Sequence, residues 1–190
     1  MAKPTAYTTK VEVPLPDEAD IAKVIGDGYD PESTLNVLKM FAGTEDIYPA
    51  LIGMVQAIFG TSGIDAKHRE VIILRAASVL NCPYEWQANA QMAANAGLTS
   101  ADIDALAANG PVEGIDTQYV LLAAATDELL KTGTLTDPTL QSLLETYGAV
   151  VTRKYIAMIG WFSMLSLILN GTRVPMETTD KIGSRTSPLA

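Results

Sequence analysis

The chain has 190 residues, of which 48% are apolar and 18% charged, and a formal net charge of −9. That length suits one domain around one core, that apolar content excludes a disordered chain, and an acidic balance without any basic run disfavours nucleic acid as a partner. A single cysteine permits no intrachain disulfide, and residues 1–10 are polar without the apolar core of a secretory signal, so a cytoplasmic location is expected.

Residues 1–16, with Pro4, Pro14 and Pro16, read as an extended N-terminal arm, either packed on a neighbour or loose. A short helix over 17–24 follows. Asp30 and Pro31 supply a cap and a first-turn proline for a helix to about Ala42, with Leu35, Leu38 and Phe41 inward. Thr44 or Glu45 opens another, in which Ile47, Leu51, Met54, Val55 and Ile58 recur at helical spacing before Gly60. Asp65 caps a helix to about Leu80 that is apolar on more than one side and therefore central. Pro83 fits the first position of the next helix, leaving Asn81 or Cys82 as its cap, and Gly97 suits a left-handed C-cap. Thr99 or Ser100 caps a short helix carrying Ile103 and Leu106. Residues 109–114 form a loop, and a helix over 116–131 stops at Gly133. Asp137-Pro138 starts a helix to Tyr147, Gly148 stops it, and a last helix covers about 150–170. The tail after Pro175 is polar and expected to be mobile.

No strand or hairpin signal stands out, because the β-branched run Val71-Ile72-Ile73 lies inside a strongly capped helical pattern. The expected fold class is all-α, about eight helices in a single domain over 1–190, with an arm at 1–16 and a tail at 176–190. The apolar run 155–169 is about one turn short of a membrane span and holds Gly160, Ser163 and Ser166, so no membrane partner is expected. Its apolar surface exceeds one buried face, which favours a homo-oligomer. Met40, Met54, Met92, Met158 and Met164 read as core or interface filler, and Trp161 and Phe162 as core, with a reach into the pocket as the alternative.

The stretch Asn81-Cys82-Pro83-Tyr84-Glu85-Trp86-Gln87-Ala88-Asn89 concentrates the chemistry. Spacings of three and four put Cys82, Glu85 and Asn89 on one helical face, with Tyr84 and Trp86 beside them. Glu70 on the preceding helix can face Glu85 across the Asn81–Pro83 turn; two close carboxyls push their titrations apart and leave one protonated. Burial would raise Glu85 toward working pH, where an acid–base group is most effective. The candidate catalytic residues are therefore Glu70, Cys82 and Glu85. Tyr84 as a donor to a carbonyl oxygen, Trp86 as a wall and Asn89 are the candidate substrate-binding residues. The structural alternatives are a buried apolar role for Cys82, an ion pair of Glu85 with Arg69 or Arg75, and a bond from Glu70 to Arg75 or to a helix end. His68, between Lys67 and Arg69, is expected to face solvent. One histidine and scattered acids make no metal set, and no phosphate-cradling glycine loop exists, so neither a metal nor a cofactor is expected.

Several segments together resemble the carboxymuconolactone decarboxylase family, which shares its fold with the AhpD-type alkylhydroperoxidases. They are residues 35–42, Ile64-Asp65-Ala66-Lys67-His68-Arg69-Glu70, Cys82-Pro83-Tyr84-Glu85-Trp86, Ala96-Gly97-Leu98, Ile159-Gly160-Trp161-Phe162, Leu169-Asn170 and Val174-Pro175. The peroxidase branch carries a Glu, eleven residues, a Cys, two residues, a second Cys, three residues and a His. Glu70 and Cys82 match the first two, whereas Glu85 stands at the second Cys and Asn89 at the His; Tyr84 takes a position that is often His. The Tyr-Glu-Trp subgroup usually keeps that His, so this chain departs even from its nearest pattern. The resemblance implies an AhpD-like helical bundle, assembled as trimers or hexamers with sites near subunit interfaces.

Asn89 cannot shuttle a proton near neutral pH, and without a resolving thiol in the chain the two-cysteine route is left only a slow intermolecular form. The leading expectation is a cofactor-free acid–base enzyme, a lyase acting on a small carbonyl or lactone compound by decarboxylation, ring opening, C–C cleavage or isomerisation. The alternatives are a thiol peroxidase using Cys82 alone and a non-catalytic small-molecule-binding oligomer.

Overall fold

The computed structural model describes residues 3–189, and within them the chain is all-helical, with eight α-helices and no strand. These are α1 (Glu18–Ile25), α2 (Asn36–Ala42), α3 (Tyr48–Gly60), α4 (Ala66–Val79), α5 (Pro83–Ala96), α6 (Ser100–Leu106), α7 (Thr117–Thr132) and α8 (Asp137–Thr172).

The centre is α4, which packs against α5, α6, α7 and α8. Its N-terminus is fixed by Asp65, whose carboxylate accepts from the Lys67 N–H at 2.8 Å. Every residue from Arg69 to Ala77 is buried. All-round burial overrides the strand preference of Val71, Ile72 and Ile73, since each buried aliphatic side chain contributes about 1.5–3 kcal/mol whatever its intrinsic propensity. Two of the buried residues are arginines. Arg75 uses all five of its N–H groups, on Asp127 Oδ1 (2.5 Å) and Oδ2 (2.6 Å) and on the carbonyls of Leu106, Ala108 and Gly110, thereby tying α7 and the loop after α6 to the core.

Helix ends follow the local chemistry. Thr99 and Asp102 form a reciprocal capping box on α6, and Gly97 closes α5 in the left-handed region. Gly148 interrupts α8 at φ 71°, ψ 165°, a conformation that only glycine adopts without strain, so residues 137–147 and 149–172 are two helices across a kink. The break frees backbone carbonyls, and the Thr152 hydroxyl donates to one of them, that of Leu143, at 3.1 Å. By length and composition α8 could cross a membrane, but it packs along α4, α5 and α7 as a core helix.

Four expectations need correction. The helix expected from Pro31 begins only at Asn36. Asp30 caps a closed turn instead, accepting from the Glu32 N–H (3.0 Å) and the Ser33 hydroxyl (2.7 Å), and buried Leu35 is extended. The orphan N–H groups of α2 are then capped from far along the chain, Asn36 by Glu177 Oε1 (2.6 Å) and Val37 by the Tyr84 hydroxyl (3.0 Å). Second, a 3-10 turn over Glu45–Ile47 shifts the phase of α3, leaving Ile47 and Met54 exposed while Leu51, Val55 and Ile58 are buried. Met164 on α8 is exposed as well.

Third, the tail is held rather than loose. Asn95 Nδ2 donates to the carbonyls of Gly183 (2.9 Å) and Arg185 (2.8 Å), Lys181 Nζ to that of Thr34 (3.1 Å), and Glu177 and Ile182 are buried. Fourth, His68 is half-buried rather than solvent-facing. Its Nδ1 lies 2.7 Å from the Tyr155 hydroxyl with the rings of Tyr119, Tyr147 and Tyr155 edge-on around it, and burial lowers its pKa. The N-terminal arm packs on its own chain, with the Val13 N–H on the Thr172 carbonyl (2.9 Å) and the Thr5 N–H on Asn81 Oδ1 (3.1 Å).

Candidate functional site

The site begins at the α4–α5 junction. Asn81 sits at φ 48°, a left-handed conformation that asparagine tolerates better than most residues. The Cys82 N–H then turns back onto the Ala77 carbonyl (2.8 Å), Cys82 is the extended cap residue, and Pro83 opens α5. One turn later Glu85 points into the core, where its Oε2 accepts a short hydrogen bond from the Ser166 hydroxyl of α8.

Glu85 is 1% exposed, and its Oε1 has no hydrogen-bond partner. Burial pushes its pKa from an ordinary 4.5 up to about 8; the Ser166 hydroxyl opposes that shift and the charge of Glu70 adds to it. Glu70 is fully buried. Its Oε1 accepts from Arg69 Nε at 3.3 Å, its Oε2 is unpartnered, and burial outweighs the pull of Arg69 to bring its pKa to about 7. Glu85 has no arginine partner. Arg75 is committed to Asp127, while Arg69 stacks on Phe59 (4.3 Å to the ring centroid) and donates to Glu70 and to the Thr186 carbonyl (3.0 Å).

Cys82 is the sole thiol and is fully buried. Burial first, and the charge of Glu85 second, push its pKa up to about 12. The helix N-terminus, which favours a thiolate, is outweighed by desolvation. Tyr7 of the arm also approaches the thiol, with its hydroxyl donating to Asn170 Oδ1 at 3.0 Å.

Glu85 lines an apolar cavity with about 40 Å³ of free space, enough for about one to three water molecules. Leu35, Leu38 and Phe41 form one side, Val55 and Phe59 of α3 another, and Ala88, Asn89 and Met92 of α5 a third; Trp161, Phe162, Leu165 and Leu169 of α8 and Pro188 of the tail close it. Of the residues singled out in the sequence, Glu85, Asn89 and Tyr84 reach this wall. Asn89 is half-buried, with its Nδ2 donating to the Glu85 carbonyl (2.9 Å). The Tyr84 hydroxyl is already engaged, donating to Glu177 Oε1 (2.5 Å) while accepting from Val37. Glu70 and Cys82 do not line the wall, and neither does buried Trp86; Trp161 takes the position of indole wall instead.

Sequence reasoning missed Ser166, Tyr7, Glu177 and Pro188. All four lie far along the chain from α5 and carried no spacing signal. Among the described residues no group of three or more His, Cys, Asp or Glu side chains is placed to hold a metal ion.

Residues 45–127, spanning α3 to α7 and including Glu70, Cys82 and Glu85, match the carboxymuconolactone decarboxylase family. The architecture is the AhpD-like one. The chain superposes on the crystal structure of an alkylhydroperoxidase AhpD core, an uncharacterized peroxidase-related protein from Ralstonia eutropha, with a TM-score of 0.73, 16% identity, and coverage of 92% of this chain and 96% of that one. An uncharacterized peroxidase-related protein from Silicibacter sp. is similar with a TM-score of 0.68, 20% identity and 97% of each chain covered. No curated protein matches the chain.

Proposed function

We propose that this protein is a cofactor-free acid–base enzyme of carboxymuconolactone decarboxylase type, a lyase acting on a small carbonyl or lactone compound, with Glu85 as its proton donor and acceptor. The observation that carries the reading is a carboxyl group fully buried at the wall of an apolar cavity, with one oxygen unpartnered and a pKa near 8. Such a group holds its proton at neutral pH and gives it up without a large penalty, and a positioned acid–base group of this kind contributes about 10²–10⁴-fold. Ser166 orients the carboxyl, and burial, with a smaller contribution from the charge of Glu70, favours its protonated form. Dry apolar walls strengthen each polar contact made inside. Cys82 serves in this reading as a buried neighbour that shapes the back of the site.

A panel of small lactones and β-keto acids tests the reading. Turnover of the active member falls by at least about 10²-fold in Glu85→Gln while the helical spectrum is unchanged; full activity in that variant ends the assignment.

A second reading, a thiol peroxidase, draws on the printed descriptions of the two similar structures. It requires peroxide consumption that disappears in Cys82→Ser. The high pKa of the thiol counts against it. Exposed Val150, Met164 and Leu167 on α8 support self-association as a trimer or hexamer in either case.

A further inference from the structure

Two buried polar atoms without hydrogen-bond partners belong to residues of the same cavity wall, Glu85 Oε1 on α5 and Trp161 Nε1 on α8. Trp161 is 4% exposed, so its indole N–H has no access to bulk water. An orphaned donor of this kind is costly, and each instance in a folded protein calls for a cause. Of the other polar groups of the wall, the Tyr84 hydroxyl is held by Glu177 and Val37, and the Asn89 Nδ2 donates to a backbone carbonyl.

We infer that Trp161 is a second binding residue of the site, and that its indole N–H together with the protonated Glu85 carboxyl receives the carbonyl oxygen of a neutral, otherwise apolar ligand. The inference rests on the acid–base reading for the protonation of Glu85, and it adds a donor that the reading did not contain.

The chemistry selects the ligand class. Indole N–H is a donor only and never loses its proton in the working pH range, so the group opposite it must be an acceptor. A protonated carboxyl offers one further donor. Two donors converging on one oxygen suit a ketone, ester or lactone carbonyl, and they gain strength when charge develops on that oxygen. Apart from Tyr84 and Asn89, the rest of the wall is Leu, Val, Phe, Met, Ala and Pro, which favours an apolar body and rejects a charged one. Ser166, five residues along α8 from Trp161, holds the other oxygen of Glu85, so one helix fixes both donors relative to each other.

The test uses two small ligands of one shape, cyclopentanone and its hydrocarbon counterpart methylenecyclopentane, either of which must displace water from the resting cavity of about 40 Å³ and widen it. With only two tryptophans in the chain, ¹⁵N-labelled tryptophan gives two indole N–H signals, and Trp161→Phe assigns them. Cyclopentanone is expected to shift the Trp161 signal downfield while leaving that of Trp86 in place; methylenecyclopentane leaves both at rest. The wild type is expected to bind the ketone about tenfold more tightly than the hydrocarbon, a preference that collapses toward unity in Trp161→Phe with hydrocarbon affinity retained. Should the phenylalanine variant fail to fold, replacement of tryptophan by β-(3-benzothienyl)alanine removes the N–H at constant shape and gives the same comparison. Failure of the wild type to bind the ketone, a Trp161 signal that ignores it, or a preference that survives loss of the N–H overturns the inference. None of these readouts involves turnover, so the subsite and the Glu85 mechanism can fail separately.

Discussion

Replacing Glu85 by Gln removes one titrating group from the core and keeps its shape, and the consequence for stability has a defined sign. A carboxyl whose folded pKa is about 8 and whose ordinary value is 4.5 binds its proton more tightly in the native state. The stability it contributes is therefore fully present below pH 4.5 and is lost as pH rises through about 8. Inside that window the loss runs at up to about 1.4 kcal/mol per pH unit, which amounts to about 3 kcal/mol between pH 5 and pH 7. Glu70, raised to about 7 with the same sign, adds a slope of its own that persists in the variant. Urea unfolding of both proteins at pH 5, 6, 7 and 8 isolates the Glu85 share. The wild type should lose about 3 kcal/mol more than Glu85→Gln over the first two units, or about 6–12 °C in melting temperature for a chain of this size. Parallel stability curves for the two proteins would refute the burial of an ionisable acid at this position.

Other predictions address the thiol, the core ion pair and the tail. Cys82, buried with a pKa near 12, should react with a disulfide reagent at pH 7.5 only as fast as the protein unfolds; rapid labelling of the native state contradicts its placement. Arg75→Ala strands three carbonyls and leaves Asp127 with Lys131 alone, and should cost about 3–5 kcal/mol in urea unfolding, with a loss below about 1 kcal/mol contradicting the role given to the ion pair. Glu177→Ala leaves the Asn36 N–H unpaired and the Tyr84 hydroxyl without its acceptor. It should cost about 1–3 kcal/mol and open residues 176–189 to trypsin at Lys181 and Arg185; wild-type resistance to cleavage would show that the tail is anchored elsewhere.

What was legible in the sequence was local. Asp65, Thr99, Gly97 and Gly148 act within a few residues of themselves, and each marks the helix boundary that its chemistry implies. The all-round apolar pattern of α4 likewise means burial on every side wherever the helix lies in the fold. The Glu85 environment was legible only by half. A carboxylate among apolar neighbours forecasts a partner or a shifted pKa, but spacing within α5 cannot reveal that the partner is Ser166, 81 residues away. The anchoring of the tail rests on Glu177 meeting Tyr84 across 93 residues, and a polar composition alone reads as a loose end. His68 misled for a related reason: its charged neighbours Lys67 and Arg69 suggested a solvated first turn, whereas the partner that buries it, Tyr155, comes from α8. At α2 the Asp30-Pro31 signal opened only a turn, and the buried extended Leu35 with the distant caps on Asn36 and Val37 set the helix start.

The claim on which the account turns is that the carboxyl of Glu85 is protonated in the resting protein at neutral pH. Infrared difference spectroscopy of wild type against Glu85→Gln reads it directly, through the carbonyl stretch of a protonated carboxyl. The account predicts that this band is present at pH 7, absent from the variant, and lost as pH is raised through about 8. A spectrum at pH 7 containing only ionised carboxylate bands for Glu85 would contradict it.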